Sequence, residues 1–281
     1  LVFDPNNENV LFSGTDGGVH KTIDVGASSV AWENLNNNYI TYQFYHVALD
    51  PEEASNAVIG GAQDNGTKIG GTDLGLEDNT QMSNWYGGDG VAVGITQRGD
   101  DNAFQYYYGS QRGNIRTNYP SCCRSIKPNG SSSQFVTYFY LDSDNTNALY
   151  YAGNNVIYKT ADAENVMPST WDNLGTLPSG EDIRTYATTR GDYNTATSYM
   201  LIGGERGGIF RLDDPQNSTD ASDAINITPS TATTTNGTIV SGLAVHPTNP
   251  DIVLAVYSNY EINNIFITTD ATSNTPTWTL V

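Results

Sequence analysis

One phrase recurs six times along this chain: a short apolar strand, an Asp-Pro-like turn, a second apolar strand, and a glycine. It reads Leu1-Val2-Phe3-Asp4-Pro5 leading to Val10-Leu11-Phe12-Ser13-Gly14, and Val47-Ala48-Leu49-Asp50-Pro51 leading to Ala57-Val58-Ile59-Gly60-Gly61. It returns as Phe139-Tyr140-Leu141-Asp142 before Leu149-Tyr150-Tyr151-Ala152-Gly153, and as Leu243-Ala244-Val245-His246-Pro247 before Ile252 to Tyr257. Looser copies run from Ala92–Thr96 to Gly109 and from Tyr186–Thr189 to Gly204. The closing position falls at Gly14, Gly61, Gly109, Gly153, Gly204 and Tyr257, at intervals of 44 to 53 residues. A repeat of this length must stack identical small units, because no single copy can bury its own apolar face.

Each copy continues with two more strands. Gly18-Val19-His20-Lys21-Thr22, Val156-Ile157-Tyr158-Lys159-Thr160 and Ile209-Phe210-Arg211 supply the third. Trp32, Trp85, Trp171 and Trp278 mark the fourth. Four short strands per repeat, joined by turn residues and without helical periodicity, predict an all-β β-propeller of four-stranded antiparallel blades. A β-sandwich would carry no such phased repetition. The blades fall at about 1–37, 38–88, 89–130, 131–177, 178–236 and 237–281. Six repeats fit a six-bladed ring or the visible part of a seven-bladed one, so residues 1–281 read as one propeller domain or the larger part of one. Both ends fall inside strand-like sequence, as expected for a piece of a longer precursor.

Between strands three and four lies Thr22-Ile23-Asp24-Val25-Gly26 before Trp32. Thr160-Ala161-Asp162 before Trp171 and Thr268-Thr269-Asp270 before Trp278 repeat it imperfectly. These segments resemble the Asp-box (BNR) turn, in which the Asp accepts backbone N–H bonds and the Trp packs between blades. The whole chain resembles the BNR-repeat propeller superfamily, sortilin-like and xyloglucanase-like. Its nearest likeness there is to secreted propeller proteins of Bacteroidetes-type bacteria. That resemblance implies an extracellular, secreted or cell-surface location. It identifies architecture far better than activity.

Composition narrows the partners. Acids outnumber bases 31 to 12, giving a formal charge of −19. Phosphate contacts need Lys and Arg, so nucleic acid is excluded as a partner, and so is an anionic membrane surface. No apolar run approaches the length of a spanning helix, so no membrane insertion is expected. A protein or a glycan remains the expected partner, along with other domains of the same precursor. No cofactor is expected, although acidic loops in a secreted protein suit structural calcium. Asp142 and Asp144, in Asp142-Ser143-Asp144-Asn145, superficially resemble the start of an EF-hand loop but lack its later Glu and flanking helices. The two cysteines, Cys122 and Cys123, are adjacent. Neighbouring Cα atoms lie about 3.8 Å apart, short of the usual disulfide range, so the expectation is two free thiols rather than a strained vicinal bridge.

Propeller geometry converts the repeat into a map. Turns after strand one, with their Asp-Pro pairs, lie on one face; turns after strand two, and the links into the next blade, lie on the other. That second face carries the candidate ligand residues: Asp16, Gln63, Asp64, Asn65, Arg112, Glu205 and Arg206, with Asp89 in the link Trp85-Tyr86-Gly87-Gly88-Asp89-Gly90. Asp-Gly and Asn-Gly pairs are favoured hairpin turns, which accounts for the glycines but less well for the charged residues. The leading expectation is a secreted, non-catalytic module recognising a protein or glycan, within a larger surface protein. Two alternatives stand beside it. One is a glycoside hydrolase fragment of xyloglucanase-like type using Asp16 with Asp64 or Asp89, which would need paired carboxylates at a set separation. The other is a structural subunit of an extracellular assembly. His20, His46 and His246 fall on different blades and offer no catalytic triad.

Overall fold

Runs of apolar and β-branched residues cut by Gly, Asn and Asp extend into strands of two to nine residues, because their side chains pack best on a pleated surface. The computed structural model describes residues 1–15, 18–36, 42–77 and 81–281. Six four-stranded sheets result, and in each the strands lie side by side in sequence order. The first holds β1–β4 (Val2–Asp4, Asn7–Thr15, Gly18–Thr22, Glu33–Asn34) and the second β5–β8 (Phe44–Leu49, Val58–Ala62, Gly66–Gly70, Met82–Tyr86). The third holds β9–β12 (Gly90–Gln97, Phe104–Ser110, Asn114–Thr117, Arg124–Ser125) and the fourth β13–β16 (Phe139–Leu141, Leu149–Gly153, Val156–Thr160, Asp172–Thr176). The fifth holds β17–β20 (Ile183–Thr188, Tyr199–Gly204, Ile209–Asp213, Ile225–Asn226) and the sixth β21–β24 (Val240–His246, Asn249–Tyr257, Ile265–Thr268, Trp278–Leu280). Among the described residues the helical segments are two three-residue 3-10 turns. This is a β-propeller built of antiparallel meanders, as the repeat predicts.

The chain forms two compact units, Leu1–Gln43 and Phe44–Val281. The first contains one sheet, in which Val10 and Leu11 are buried while Val2, Phe3, Val19 and Trp32 are exposed. The second contains the other five sheets. There, each pair of successive sheets closes over its own apolar cluster. Ile59, Val93 and Tyr108 join sheets two and three, and Tyr107, Leu149 and Tyr151 join three and four. Tyr150, Ile202 and Phe210 join four and five, and Leu201, Val253 and Phe266 join five and six. Burying each aliphatic or Phe side chain of this kind stabilises the fold by roughly 1.5–3 kcal/mol. Close approach is built in at sheets two and three, where a Cβ on Gly61 would sit 1.9 Å from the Val91 carbonyl oxygen.

The Thr-x-Asp turns and the tryptophans after them are held by hydrogen bonds. Asp270 Oδ1 accepts from the Thr277 N–H at 2.9 Å and from the Thr268 hydroxyl at 2.6 Å. Trp278 Nε1 donates to the Ile227 carbonyl and Trp171 Nε1 to the Ile126 carbonyl, both at 2.7 Å, so each indole ties its sheet to the preceding one. Trp85 does not follow this rule. It lies at the irregular pairing between β7 and β8, and its ring stands edge-on to Tyr106 of the following sheet, centroids 4.7 Å apart.

On the Asp-turn face, carboxylates serve the fold. Asp50 is buried and its Oδ2 accepts from Gln97 Nε2 of the next sheet at 2.7 Å. Asp142 is buried too, and its Oδ1 accepts the Asp144 and Asn145 N–H groups at 3.0 and 3.2 Å. Asp144 is held by Arg190, Nε to Oδ2 at 2.7 Å and Nη2 to Oδ1 at 3.0 Å, with Gly191 N–H on Oδ2. Both calcium candidates thus have N–H donors on their oxygens, and they serve a turn and an inter-sheet bridge. His246 copies the turn chemistry of Asp: its Nδ1 accepts the Thr248 N–H at 3.3 Å.

Candidate ligand-binding face

In Phe44–Val281 the links between sheets lie across the turns that follow the second strands. Ile183 N–H bonds to the Asn154 carbonyl, Glu205 N–H to the Asp182 carbonyl, and Arg112 N–H to the Phe135 carbonyl, at 2.8–2.9 Å. This weaving brings the sequence candidates together in two groups.

The first group centres on Asp89. Its Oδ1 accepts the Asp64 N–H at 2.8 Å, and its own N–H donates to Gln111 Oε1 at 3.1 Å. Asp64 and Arg112 both take left-handed backbone, φ 56° and 65°. Such turns are short because few side chains tolerate that region. Asn65 Nδ2 folds back onto the Gln63 carbonyl at 3.0 Å. Arg112 is exposed, and its carbonyl is held by Ser133 Oγ at 2.9 Å and Lys127 Nζ at 3.3 Å. Asp16 lies outside the described residues.

The second group centres on Glu181 and Arg184. Glu181 is buried, and its Oε2 accepts the N–H groups of Arg206 at 2.8 Å and Gly208 at 3.3 Å. Arg206 Nη2 donates to the Ser179 carbonyl at 2.8 Å. Glu205 forms an ion pair with Arg184, Oε2 to Nη2 at 2.7 Å. Arg206 is therefore tied to its own link, whereas Glu205 reaches the first strand of its sheet.

That first strand borders a cavity of about 310 Å³. Its wall comes from the beginnings of β5, β13, β17 and β21, and Tyr45, Tyr138, Tyr140, Arg184 and Tyr186 give it an aromatic and polar character. Arg184 Nε is buried and has no hydrogen-bond partner. Burial, then the carboxylates of Asp89 and Asp64, push the Tyr45 hydroxyl pKa up. Tyr45 thus lines the cavity and feels the charge of the Asp89 group. Burial also raises Tyr138, while Arg184 pulls it the other way. A second cavity of about 250 Å³ shares His46 and Tyr140 with the first and continues towards the Asp-turn end along β5, β9 and β13. His46 Nδ1 accepts the Val93 N–H at 3.3 Å, and burial lowers its pKa. Phe135, three residues before the lining Tyr138, and Tyr260, two residues after the lining Ser258, are exposed, the latter at 96%.

Chain-wide comparisons agree with the architecture. A chain of the mitotic checkpoint complex matches with a TM-score of 0.54 and 16% identity, over 97% of this chain and 75% of that one. YCF48 from Cyanidioschyzon merolae matches at 0.54 and 14%, over 100% and 83%. The GH74 xyloglucanase from Xanthomonas campestris matches at 0.57 and 15%, over 100% of this chain but only 44% of its own. The neighbours are β-propellers. At such identities the likeness is one of fold. No family model and no curated protein matches the sequence.

Sequence reasoning placed the turn residues but missed the cavity wall. Tyr45, Tyr138 and Arg184 sit in first strands, where they read as ordinary alternating residues. Arg184 had one available signal: it falls between Asp182 and Tyr186, at the start of the strand, on the end already assigned to ligands.

Proposed function

We propose that this chain is a secreted, non-catalytic propeller module that recognises a protein or glycan at the end bearing Asp64, Asp89, Glu205 and Arg184. The repeats are of the Asp-box type, and the module belongs to a larger extracellular or cell-surface protein. One observation carries the reading: a tyrosine-lined cavity holds an arginine whose Nε–H has no acceptor. Ligand pockets typically combine an apolar or aromatic wall with a few such polar groups, and a buried unpaired donor favours a ligand that supplies an acceptor.

Hydrolysis draws less support. The Asp89 carboxylate is engaged with the Asp64 backbone, and Glu205 with Arg184, so these acids act as caps and ion-pair partners. The deciding experiment joins a glycan array and a polysaccharide hydrolysis screen. Binding that is lost in Arg184→Ala and Tyr138→Ala, with no release of reducing sugar, is the expected result. Hydrolysis abolished by Asp89→Ala or Asp64→Ala would replace this reading with the enzymatic one.

A further inference from the structure

The loop between β11 and β12 carries both cysteines of the chain as adjacent residues, and both are free thiols. We propose that Cys122 and Cys123 form a reversible redox site that closes into a vicinal disulfide by exchange with a small disulfide such as glutathione disulfide.

Four observations support it. The thiols can be reached, because Cys122 is exposed and Cys123 partly so. The loop is fixed at its base: Arg124 Nε and Nη2 donate to the Tyr119 carbonyl at 3.1 and 3.0 Å, and the Arg98 guanidinium stacks on the Tyr119 ring at 3.7 Å. Cys123 itself takes left-handed backbone, φ 68°, a conformation that bulky residues hold only under constraint. Its carbonyl is gripped by Arg116 Nη1 at 2.7 Å, while Arg116 Nε is buried and has no acceptor.

The environment selects the nucleophile. The neighbouring Cys122 thiol first, then the Tyr108 hydroxyl and the Arg116 guanidinium, hold the Cys123 thiol below its usual range. The same contact holds Cys122 above it. The Tyr108 hydroxyl is buried beside Cys123 and makes no well-formed hydrogen bond, so a thiolate there gains a donor. A depressed thiol next to a guanidinium is the attacking group in exchange chemistry.

The steps balance. The Cys123 thiolate attacks one sulfur of glutathione disulfide, whose S–S bond breaks, and one glutathione leaves as a thiolate and takes up the proton. Cys122 loses its proton and attacks the Cys123 sulfur of the mixed disulfide. The Cys122–Cys123 bond forms, and the second glutathione leaves and is protonated. Two protein thiols are oxidised and one disulfide is reduced to two thiols. Adjacent Cα atoms at about 3.8 Å close this ring only with strain, and strained bridges are the more easily reduced ones, so the site works as a switch rather than a staple.

The test treats the full chain with glutathione disulfide, then alkylates and records intact mass. Wild type is expected to fall from two alkylated thiols to none, with no glutathione retained and no covalent dimer, and to recover both thiols with dithiothreitol. Cys122→Ser and Cys123→Ser should each keep one glutathione, and Cys122→Ser, which leaves Cys123, should acquire it several-fold faster. Two thiols still alkylated, a persistent glutathione adduct on wild type, or disulfide-linked dimers would overturn the proposal. Equal rates in the two variants would overturn the assignment of Cys123 as nucleophile. Both positions are at or near the surface, so a far-UV spectrum matching wild type establishes that the variants are folded.

Discussion

The fifth sheet contains two arginines whose surroundings differ sharply. Arg211, on β19, is buried with 4% of its side chain exposed, and every one of its N–H groups has an acceptor. Nε and Nη2 grip Asp213, Nη1 donates to the carbonyls of Ala271 and Ser273, and Nη2 also reaches Asn274 Oδ1. Arg184, on β17, is 21% exposed, has one ion pair with Glu205, and keeps a buried Nε–H without an acceptor. A guanidinium offers five donors in a fixed fork. Where all five are used on the chain itself, the residue is a fastener, and here it ties sheet five to the loop of sheet six. Arg184 spends one donor on Glu205 and leaves a buried one unused at a residue of the cavity wall, the group on which the proposed recognition rests. The two arginines of this sheet thus differ in hydrogen-bond satisfaction, not in residue type.

The comparison is most severely tested at the seam. Arg211→Met should remove about 3–5 kcal/mol of stability, because buried carbonyls and a charged partner lose their donors together. A urea titration would reveal this as a large fall in midpoint. Lys159 fastens the preceding junction in the same way, its ammonium donating to the carbonyls of Gln216 and Ser218, both at 2.6 Å. Burial lowers its pKa, so the charge is held at some cost, and Lys159→Met should lose a smaller amount, about 2 kcal/mol. Arg184→Met should change stability by less than about 1 kcal/mol, since a single partly exposed ion pair contributes little. It should nevertheless weaken ligand binding by at least about tenfold, equivalent to about 1.4 kcal/mol. Equal destabilisation by Arg211→Met and Arg184→Met would erase the distinction.

These residues also mark how far the sequence could be read. Strand phase and turn positions were legible, because alternation and the spacing of glycine and Asp are local properties. The seam was not. Lys21, Lys68, Arg116, Lys159 and Arg211 recur on successive third strands, a visible pattern that reads as a solvated face. What buries Lys159 and Arg211 is a loop more than fifty residues further on, from the next sheet. The mouth was half legible. Counting strands puts Asp64, Asp89, Glu205 and Arg206 in the turns after second strands or in the links, yet the cavity is walled by first-strand residues that only the packing of successive sheets brings together. Trp85 looked like the other tryptophans, and a pairing irregularity in its strand sent it to a different neighbour.

The smallest expected effect separates seam from mouth by pH. His46 lies in the wall shared by both cavities, accepts the Val93 N–H on Nδ1, and has a pKa lowered by burial. An Nδ1 that accepts from an amide must be unprotonated, so the native state holds the neutral ring. Its folded pKa lies below the unfolded value near 6.5, and the unfolded chain therefore binds the proton more readily. Stability from this group is fully present above about pH 6.5 and is lost progressively as pH falls from there through the folded value. His46→Gln should flatten that part of the stability–pH curve while leaving the midpoint at pH 8 nearly unchanged. The same acid range should weaken ligand binding at the mouth in wild type but much less in His46→Gln, because protonation there breaks the β5–β9 contact that shapes the wall. An identical acid dependence in both proteins would assign the titration to other groups and leave the cavity wall independent of pH.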